Sequence, residues 1–573
     1  MKNLPLIAHW PLSGHADDLC NSHHGTSRNV LWTAGPSGDG NGAALFNGRD
    51  SVVEIADAPD LQLGCDDFSI SAWIKCAKPM RGAFGDVLSK FDAERRCGLN
   101  LWVAGSSACY SSFGDSRHVH VGIDDGYMSA WKDCGRPGSG NPLVSCLTVY
   151  DGELYAGVAD ADRPEEAAKV FRWAGGDHWI ECGRLGDDPA HLSVMSMIVH
   201  DGHLYAGTGI WDWGRAEESR IATPPTALTR VFRYENGTTW RDLGQVGQGQ
   251  RVLCMASFEG ALYVGIDRGG GGGCFKLEGD QWIDCGNLDE RDNFECLMPV
   301  GGVLYGASHF AVYRYDGNRK WTCIGREPFG ISQIHAFQVA DSKLWVGTWP
   351  QGYILRYEGD EKWTNTGQVG VAAGKPGVAM INEINALGVH NGKLYAGTIP
   401  KAQVYRYEFD GHWSLLGSLA SRRDWNPEVC PSWMRVLTLT THKGLLFACT
   451  GTSQARAWDL DPDLTAGRVL FCQTGMAASH EHDVGGDWTH VVAVRGSKDL
   501  RLYINGMLSH RMIAPRSHHF HLGNAEPLLI GSGAQSSFDG AISDVRLYGG
   551  ALNARQVQEL WLQRGLSTAC PRA

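Results

Sequence analysis

Glu295, His335 and Glu383 carry side chains that can move protons near neutral pH, and they fall in different copies of one sequence repeat, Glu295 and His335 at one inner-strand place and Glu383 at the strand start two residues earlier. Two carboxylates facing each other across a sugar form the acid and base pair of glycoside hydrolysis, and their separation decides retention or inversion. A histidine can instead act as the base for β-elimination from a uronic acid, with Arg251 or Arg435 neutralising the substrate carboxylate. In a third arrangement, His309 and His335 join a nearby glutamate as the donor set of a divalent metal site. Spacing alone singles out none of the three.

Asp267 and Trp349 occupy further corresponding places, and Trp211, Trp213 and Trp433 fall in adjoining loops. Aromatic rings stack on the apolar faces of pyranoses, while carboxylates, amides and guanidinium groups bond hydroxyls. The expected substrate-binding set is therefore Arg251, Asp267, Trp349, Arg435, Trp211 and Trp433, and the expected partner is an oligosaccharide or polysaccharide. A non-catalytic glycan-binding or protein-interaction scaffold is the second reading, because one architecture serves both.

The elements that position these residues are repeats. Within the repeat region W-x-x-x-G occurs seven times, beginning at Trp131, Trp179, Trp240, Trp282, Trp321, Trp363 and Trp413. A hairpin phrase, as in DGELYAG (151–157) and NGKLYAG (391–397), also occurs seven times, and a third strand such as KVFRW or RVFRYE lies between the two. Spacings of 39 to 61 residues between successive tryptophans suit one four-stranded propeller blade per repeat. The two phrases run out of phase, since the first W-x-x-x-G precedes any hairpin. A ring resolves this if Trp131 supplies the outer strand of a seventh blade whose inner strands lie at about 433–461, with ARAWDLD (455–461) as its third strand. Closure of this kind also removes an exposed sheet edge. In such a ring the loops entering the innermost strands and leaving the second strands open on one face, where the candidate residues collect.

The 17 cysteines form no CxxC pair. Cys134, Cys182 and Cys285 share one repeat position, and Cys146, Cys254 and Cys296 another. Equivalent positions of different blades lie beyond disulfide reach, so these residues read as small packing groups in a reducing compartment.

Before and after the repeats stand LIAHWPLSG (6–14), DFSISAWIKC (67–76), GDWTHVVAV (486–494), LRLYINGMLS (500–509) and FDGAISDVRLYGG (538–550). Trp10, Asp67, Phe68, Trp73, Trp488, His490, Tyr503, Asn505, Gly506, Phe538, Gly540, Asp544, Arg546 and Tyr548 carry a resemblance to the laminin-G-like, concanavalin A-like jelly-roll family. That resemblance implies a β-sandwich and glycan recognition. Its phrases are split, so the expected architecture is all-β, with a seven-bladed β-propeller inserted into a discontinuous concanavalin-like jelly roll. The expected boundaries are 1–126 and 462–573 for the jelly-roll halves and 127–461 for the propeller. The propeller resembles kelch-like and sialidase-like propellers in plan only, because YENGTTW (234–240) and YEGDEKW (357–363) lack the full Asp-box form.

Other candidates have plainer readings. His480-Glu481-His482-Asp483 and His518-His519-x-His521 have ligand side chains, but alternation on a strand puts only His480 and His482 on one face, so a solvated hairpin is expected. His23-His24 reads as structural, and RGGGGG (268–273) lacks the Lys-Ser/Thr of a phosphate loop. A net charge of −12 and the absence of a dense basic stripe argue against nucleic acid or an anionic membrane as partner. No run of 18 apolar residues is present, and MKNLPLIAHWPLSG holds no long apolar core. The expected location is the cytoplasm, or outside the cell if a leader precedes this sequence.

Overall fold

The computed structural model describes residues 4–105, 107–108, 112–160, 163–210, 229–267, 273–288, 294–308, 311–326, 331, 333–370, 382–420, 434–452, 466–516 and 518–563. Blade one comprises Leu143–Tyr150, Glu153–Ala159, Lys169–Gly175 and His178–Arg184, paired antiparallel in that order. Five more blades repeat the plan, and the sixth ends at His412–Ser418. The seventh is built from Arg435–His442, Leu445–Gly451, Val469–Cys472 and, from the other end of the insert, Lys132–Asp133.

The third strand of this last blade differs from expectation. ARAWDLD (455–461) lies outside the described residues, and the strand beside Leu445–Gly451 is Val469–Cys472. Lys132 and Asp133 pair with Phe471 and Leu470, not with residues near 458. VLFC has the β-branched and aromatic content of the other third strands, whereas Asp459 and Asp461 are poor strand formers.

The W-x-x-x-G phrase is a latch between blades. Trp179, Trp240, Trp282, Trp321, Trp363 and Trp413 donate their indole N–H groups to the carbonyls of Cys134, Cys182, Leu243, Cys285, Ile324 and Thr366, at 2.7–3.3 Å. Each acceptor is the residue just before the glycine of the preceding blade's phrase. The glycine leaves room for the ring: a Cβ at Gly325 would stand 2.3 Å from Trp363 Nε1. Trp131 rests on Gly417 in the same way, although its indole nitrogen has no hydrogen-bond partner among the described residues.

Two further sheets draw strands from both flanks. One runs Leu31–Thr33, Ala43–Asn47, Asp539–Tyr548, Phe68–Cys76, Thr489–Gly496, Asp499–Ile504, Met507–Ile513, with Leu6–Trp10 added beside Asp539–Tyr548. The other runs Gly25–Arg28, Val52–Ile55, Leu528–Ile530, Gly85–Asp92, Cys97–Ala104, His118–Met128, Thr474–His480. Trp10, Phe46, Phe68, Leu101, Val121, Ala493 and Phe538 are buried between them. The protein is thus a seven-bladed propeller inserted into a discontinuous jelly-roll sandwich.

The insertion uses one ribbon. His118–Met128 and Thr474–His480 pair from Val119↔His480 to Met128↔Thr474. The Ser129 N–H then donates to the Gln473 carbonyl at 2.9 Å, and the same two chain segments continue as the Lys132/Phe471 pair of blade seven.

The propeller sits on the second sheet through the turns between the first and second strands of its blades. The N–H groups of Gly152, Glu259 and Gly302 donate to the carbonyls of Glu481, Met80 and Arg81. The Asp201 N–H donates to the Asp115 carboxylate, and the Gly444 N–H to Ser479 Oγ. Ser342 Oγ accepts from the Ser537 N–H, and Asn391 Nδ2 donates to the Ile123 carbonyl. All seven blades are represented. A jelly-roll hairpin, Ser107–Ala108 and Ser112–Phe113, also enters the channel, with Phe113 pairing parallel to Ala256 of blade three and Ser112 Oγ accepting from the Met255 N–H at 2.9 Å. One channel end is therefore occupied by the host domain, and the face bearing the starts of the inner strands lies opposite.

Candidate functional site

The first inner-strand residue of each blade pairs with the last residue of the second strand. The observed pairs are Leu143↔Ala159, Ser193↔Gly209, Arg251↔Asp267, Gln333↔Trp349, Glu383↔Ile399 and Arg435↔Gly451. Two places on, the register shifts in every one of these blades, at Ser145, Met195, Leu253, His335, Asn385 and Leu437. A β-bulge re-aims the extra residue, and here it returns the third side chain to the neighbourhood of the first. His335 Nε2 lies 2.6 Å from Gln333 Oε1, and Asn385 Nδ2 donates to Glu383 Oε1.

The mouth has two unlike halves. Where the second strand ends in a small residue, it pairs directly with a neighbouring inner strand: Ala159↔Ser193, Gly209↔Arg251 and Gly451↔Leu143. A Cβ on Gly209 would stand 2.6 Å from the Arg251 Cα. Where Asp267, Trp349 and Ile399 stand at that place, no such pairing is present among the described residues, and polar side chains occupy the junctions instead.

Three successive blades meet at His335. Its Nδ1 lies 3.7 Å from Glu295 Oε2 of blade four, and its Nε2 lies 3.5 Å from Glu383 Oε1 of blade six. All three side chains are less than a tenth exposed. With the Gln333 amide oxygen accepting, Nε2 carries the proton and Nδ1 holds the lone pair, so a proton arriving at Nδ1 meets a carboxylate. Catalytic contacts are often this long before substrate tightens them.

Arg251 and Asp267 form a buried pair, in which Nε donates to Oδ2 at 2.9 Å and a terminal nitrogen donates to the same oxygen. Arg435 is buried at the start of the blade-seven inner strand, and Trp349 is half-buried opposite Gln333. Trp211, Trp433 and His309 lie outside the described residues. Among the described residues no group of three or more His, Cys, Asp or Glu side chains could hold a metal ion. At His335 the two carboxylates address opposite ring nitrogens, which point in divergent directions and do not converge on one ion.

The stretch at 480–483 is only in part the solvated segment expected from alternation: His482 and Asp483 are exposed, and Glu481 is not. Glu481 is buried at the domain junction, where its Oε2 lies 2.7 Å from His442 Nδ1 of blade seven, and the Arg117 guanidinium pairs with Asp483 at 3.1 Å. Burial pushes the Glu481 carboxyl up, and the adjacent His442, His118 and His120 rings outweigh it, holding the group down to about 2. Burial itself pushes His118 down to about 4 and His120 to about 3. Sequence reading missed these two rings, which line a cavity of ≈ 60 Å³ with Trp102, Phe113, Gln338 and Thr440. The alternation HVHVG was the available signal, with His118 and His120 on the face opposite Val119 and Val121. His518 binds Asp125 at 2.7 Å, and His23, which binds Asp60 at 2.8 Å, is structural as expected.

Comparison with known proteins gives one family match: the concanavalin A-like lectin/glucanases superfamily, over residues 431–558. That span covers most of the second flank and also the seventh blade strands Arg435–His442, Leu445–Gly451 and Val469–Cys472. No curated protein matches. Among solved structures, the extracellular domain assigned to a hybrid two-component system of B. thetaiotaomicron is 16% identical with a TM-score of 0.41, and the alignment covers 60% of this chain and 40% of that one. Virginiamycin B lyase from Staphylococcus aureus is 9% identical with a TM-score of 0.41, over 60% of this chain and 99% of that one. PorZ of Porphyromonas gingivalis is 14% identical with a TM-score of 0.36, over 74% and 68%.

Proposed function

We propose that the channel mouth binds a carbohydrate and cleaves it, with His335 as the group that accepts the proton. One observation carries this reading: His335 lies between Glu295 and Glu383 at 3.7 and 3.5 Å, at a bulge position filled by Leu or Met in three other blades. A buried polar cluster at a place that packing fills with apolar residues has no structural reason to be there. Trp349 supplies a ring for a pyranose face, and Gln333 and Asn385 supply amides for hydroxyls. Arg251 and Arg435, both buried at the starts of inner strands, are the cations available to an acidic sugar. The match of the second flank to a lectin and glucanase superfamily adds weight to a glycan partner.

The test is incubation of the full chain with a panel of neutral and uronic-acid glycans, followed by chromatography and ultraviolet absorbance. New reducing ends alone indicate hydrolysis by the carboxylates, and a new absorbing double bond indicates elimination through His335. Saturable binding with neither product leaves a glycan-binding scaffold and removes the catalytic reading.

A further inference from the structure

Cys274 and Cys285 face each other across the outer hairpin of blade three. The Cys285 N–H donates to the Cys274 carbonyl at 2.8 Å, and the Cys274 N–H donates to the Gly286 carbonyl at 3.0 Å. The next pair along the same ladder is Phe275↔Asp284. Cys274 thus faces the bulge Cys285–Gly286, and cross-strand neighbours joined by a backbone hydrogen bond have Cα atoms about 5.5 Å apart, inside the window of about 4.4–6.8 Å that a disulfide requires. Both residues are buried, and the Cys285 thiol donates to the Ile283 carbonyl at 3.6 Å. Comparing equivalent positions of different blades overlooks this pair, because the two cysteines occupy different positions of a single blade.

The repeat shows that packing does not demand them. The place of Cys274 is taken by Val170, Val231, Val312, Ile354, Val404 and Val469 in the other blades, so only blade three carries cysteine at both of these places. The two sulfurs are also unlike. The Cys274 thiol, the Tyr315 hydroxyl and the Lys276 ammonium favour the thiolate of Cys285, whereas burial pushes Cys274 up.

We propose that Cys274 and Cys285 form a reversible, peroxide-driven disulfide that clamps the outer hairpin of blade three. The Cys285 thiolate attacks one oxygen of the peroxide, the O–O bond breaks, and the leaving oxygen takes a proton as water or an alcohol. This leaves a sulfenic acid on Cys285. The Cys274 sulfur then attacks Sγ of Cys285, the S–O bond breaks, and hydroxide leaves with the Cys274 proton as water. Two thiols are thereby oxidised by two electrons and one peroxide is reduced. A dithiol reductant reverses the step.

Trypsin separates the two cysteines, placing Cys274 in residues 269–276 and Cys285 in residues 277–291, with Cys254 in residues 252–268. The full-length protein is treated with hydrogen peroxide under native conditions, alkylated and digested. The expected product is the 269–276/277–291 pair lighter by two hydrogens than the sum of its reduced peptides, formed while far-ultraviolet dichroism is unchanged and lost after dithiothreitol. Oxidation is expected to raise Tm, and a C274S variant is expected to hold Cys285 as a sulfenic acid captured by dimedone. The proposal is overturned if the folded wild-type chain keeps both thiols alkylatable at peroxide levels that oxidise an unfolded control, or if Cys285 links to another cysteine. Irreversible sulfonic acid at Cys285 as the first wild-type product would overturn it too.

Discussion

The indole N–H of Trp179 donates to the carbonyl of Cys134 at 2.8 Å, joining the outer strand of the first blade to the outer strand of the seventh. This bond crosses the seam of the ring. Five others like it tie the remaining neighbours, and at the other side of the seam Trp131 packs on Gly417 without its indole hydrogen bond.

Trp179→Phe removes a donor and leaves the Cys134 carbonyl without it, for a loss of about 1 kcal/mol. Trp131→Phe removes no such bond and is expected to cost measurably less. Urea midpoints of the two variants check the difference. Equal losses would mean that the ring packing, and not the N–H, carries the latch.

Arg251→Met leaves Asp267 buried without its partner and is expected to destabilise by about 3–5 kcal/mol, whereas Arg251→Met with Asp267→Leu recovers most of the loss. Thermal melts of the single and double variants measure this. A double variant no better than the single would show that the pair does not act as a unit.

His335→Gln is expected to lower kcat for glycan cleavage by about 10²–10⁴-fold while glycan affinity by calorimetry stays within a few-fold. Glu383→Gln keeps the shape of its side chain and removes the carboxyl group 3.5 Å from the ring, so it is expected to lower kcat while glycan affinity is held. A His335→Gln enzyme with unaltered turnover would exclude this residue as the base.

The domain junction sets an acid limit. His118 and His120 are neutral in the folded state because burial lowers them to about 4 and about 3, while in the unfolded chain they titrate near 6.5. The unfolded state therefore binds more protons between these values, and stability falls as pH drops from about 6.5 towards 4, by on the order of 3 kcal/mol per ring. Glu481, lowered to about 2, adds a loss in the same direction below about 4.5. Tm measured from pH 7.5 to 4 is expected to decline steeply, and a flat profile would contradict the burial of these rings.

Much of the architecture was legible because repetition makes position meaningful. Aligning seven copies exposed Glu295 and His335 at a place that Leu253 and Leu437 fill elsewhere, and Glu383 at the strand-start place that Leu143 fills, and the structure brings those three together. The bulge that turns them toward one another leaves no mark in the residue types, since Ser145, Met195 and Leu253 are bulged equally. Aromatic content drew the third strand of blade seven to Trp458, whereas the strand beside Leu445–Gly451 lies at Val469–Cys472, after the Asp-rich stretch. The burial of Glu481 was hidden for another reason: its environment is made by His442, at the end of the first strand of blade seven, and local alternation carries no information about docking between domains.

The shared ribbon has a consequence for synthesis on the ribosome. When the chain has emerged as far as residue 452, six blades have all their strands, yet the circle lacks Val469–Cys472 and the sandwich lacks every strand from Thr474 onward. The stretch Val469–Cys472 followed by Thr474–His480 supplies the missing partner of Lys132–Asp133 and then of His118–Met128. Both modules therefore wait on the same short piece of late-made polypeptide, and a nascent chain stalled before it would expose two unfinished sheets at once.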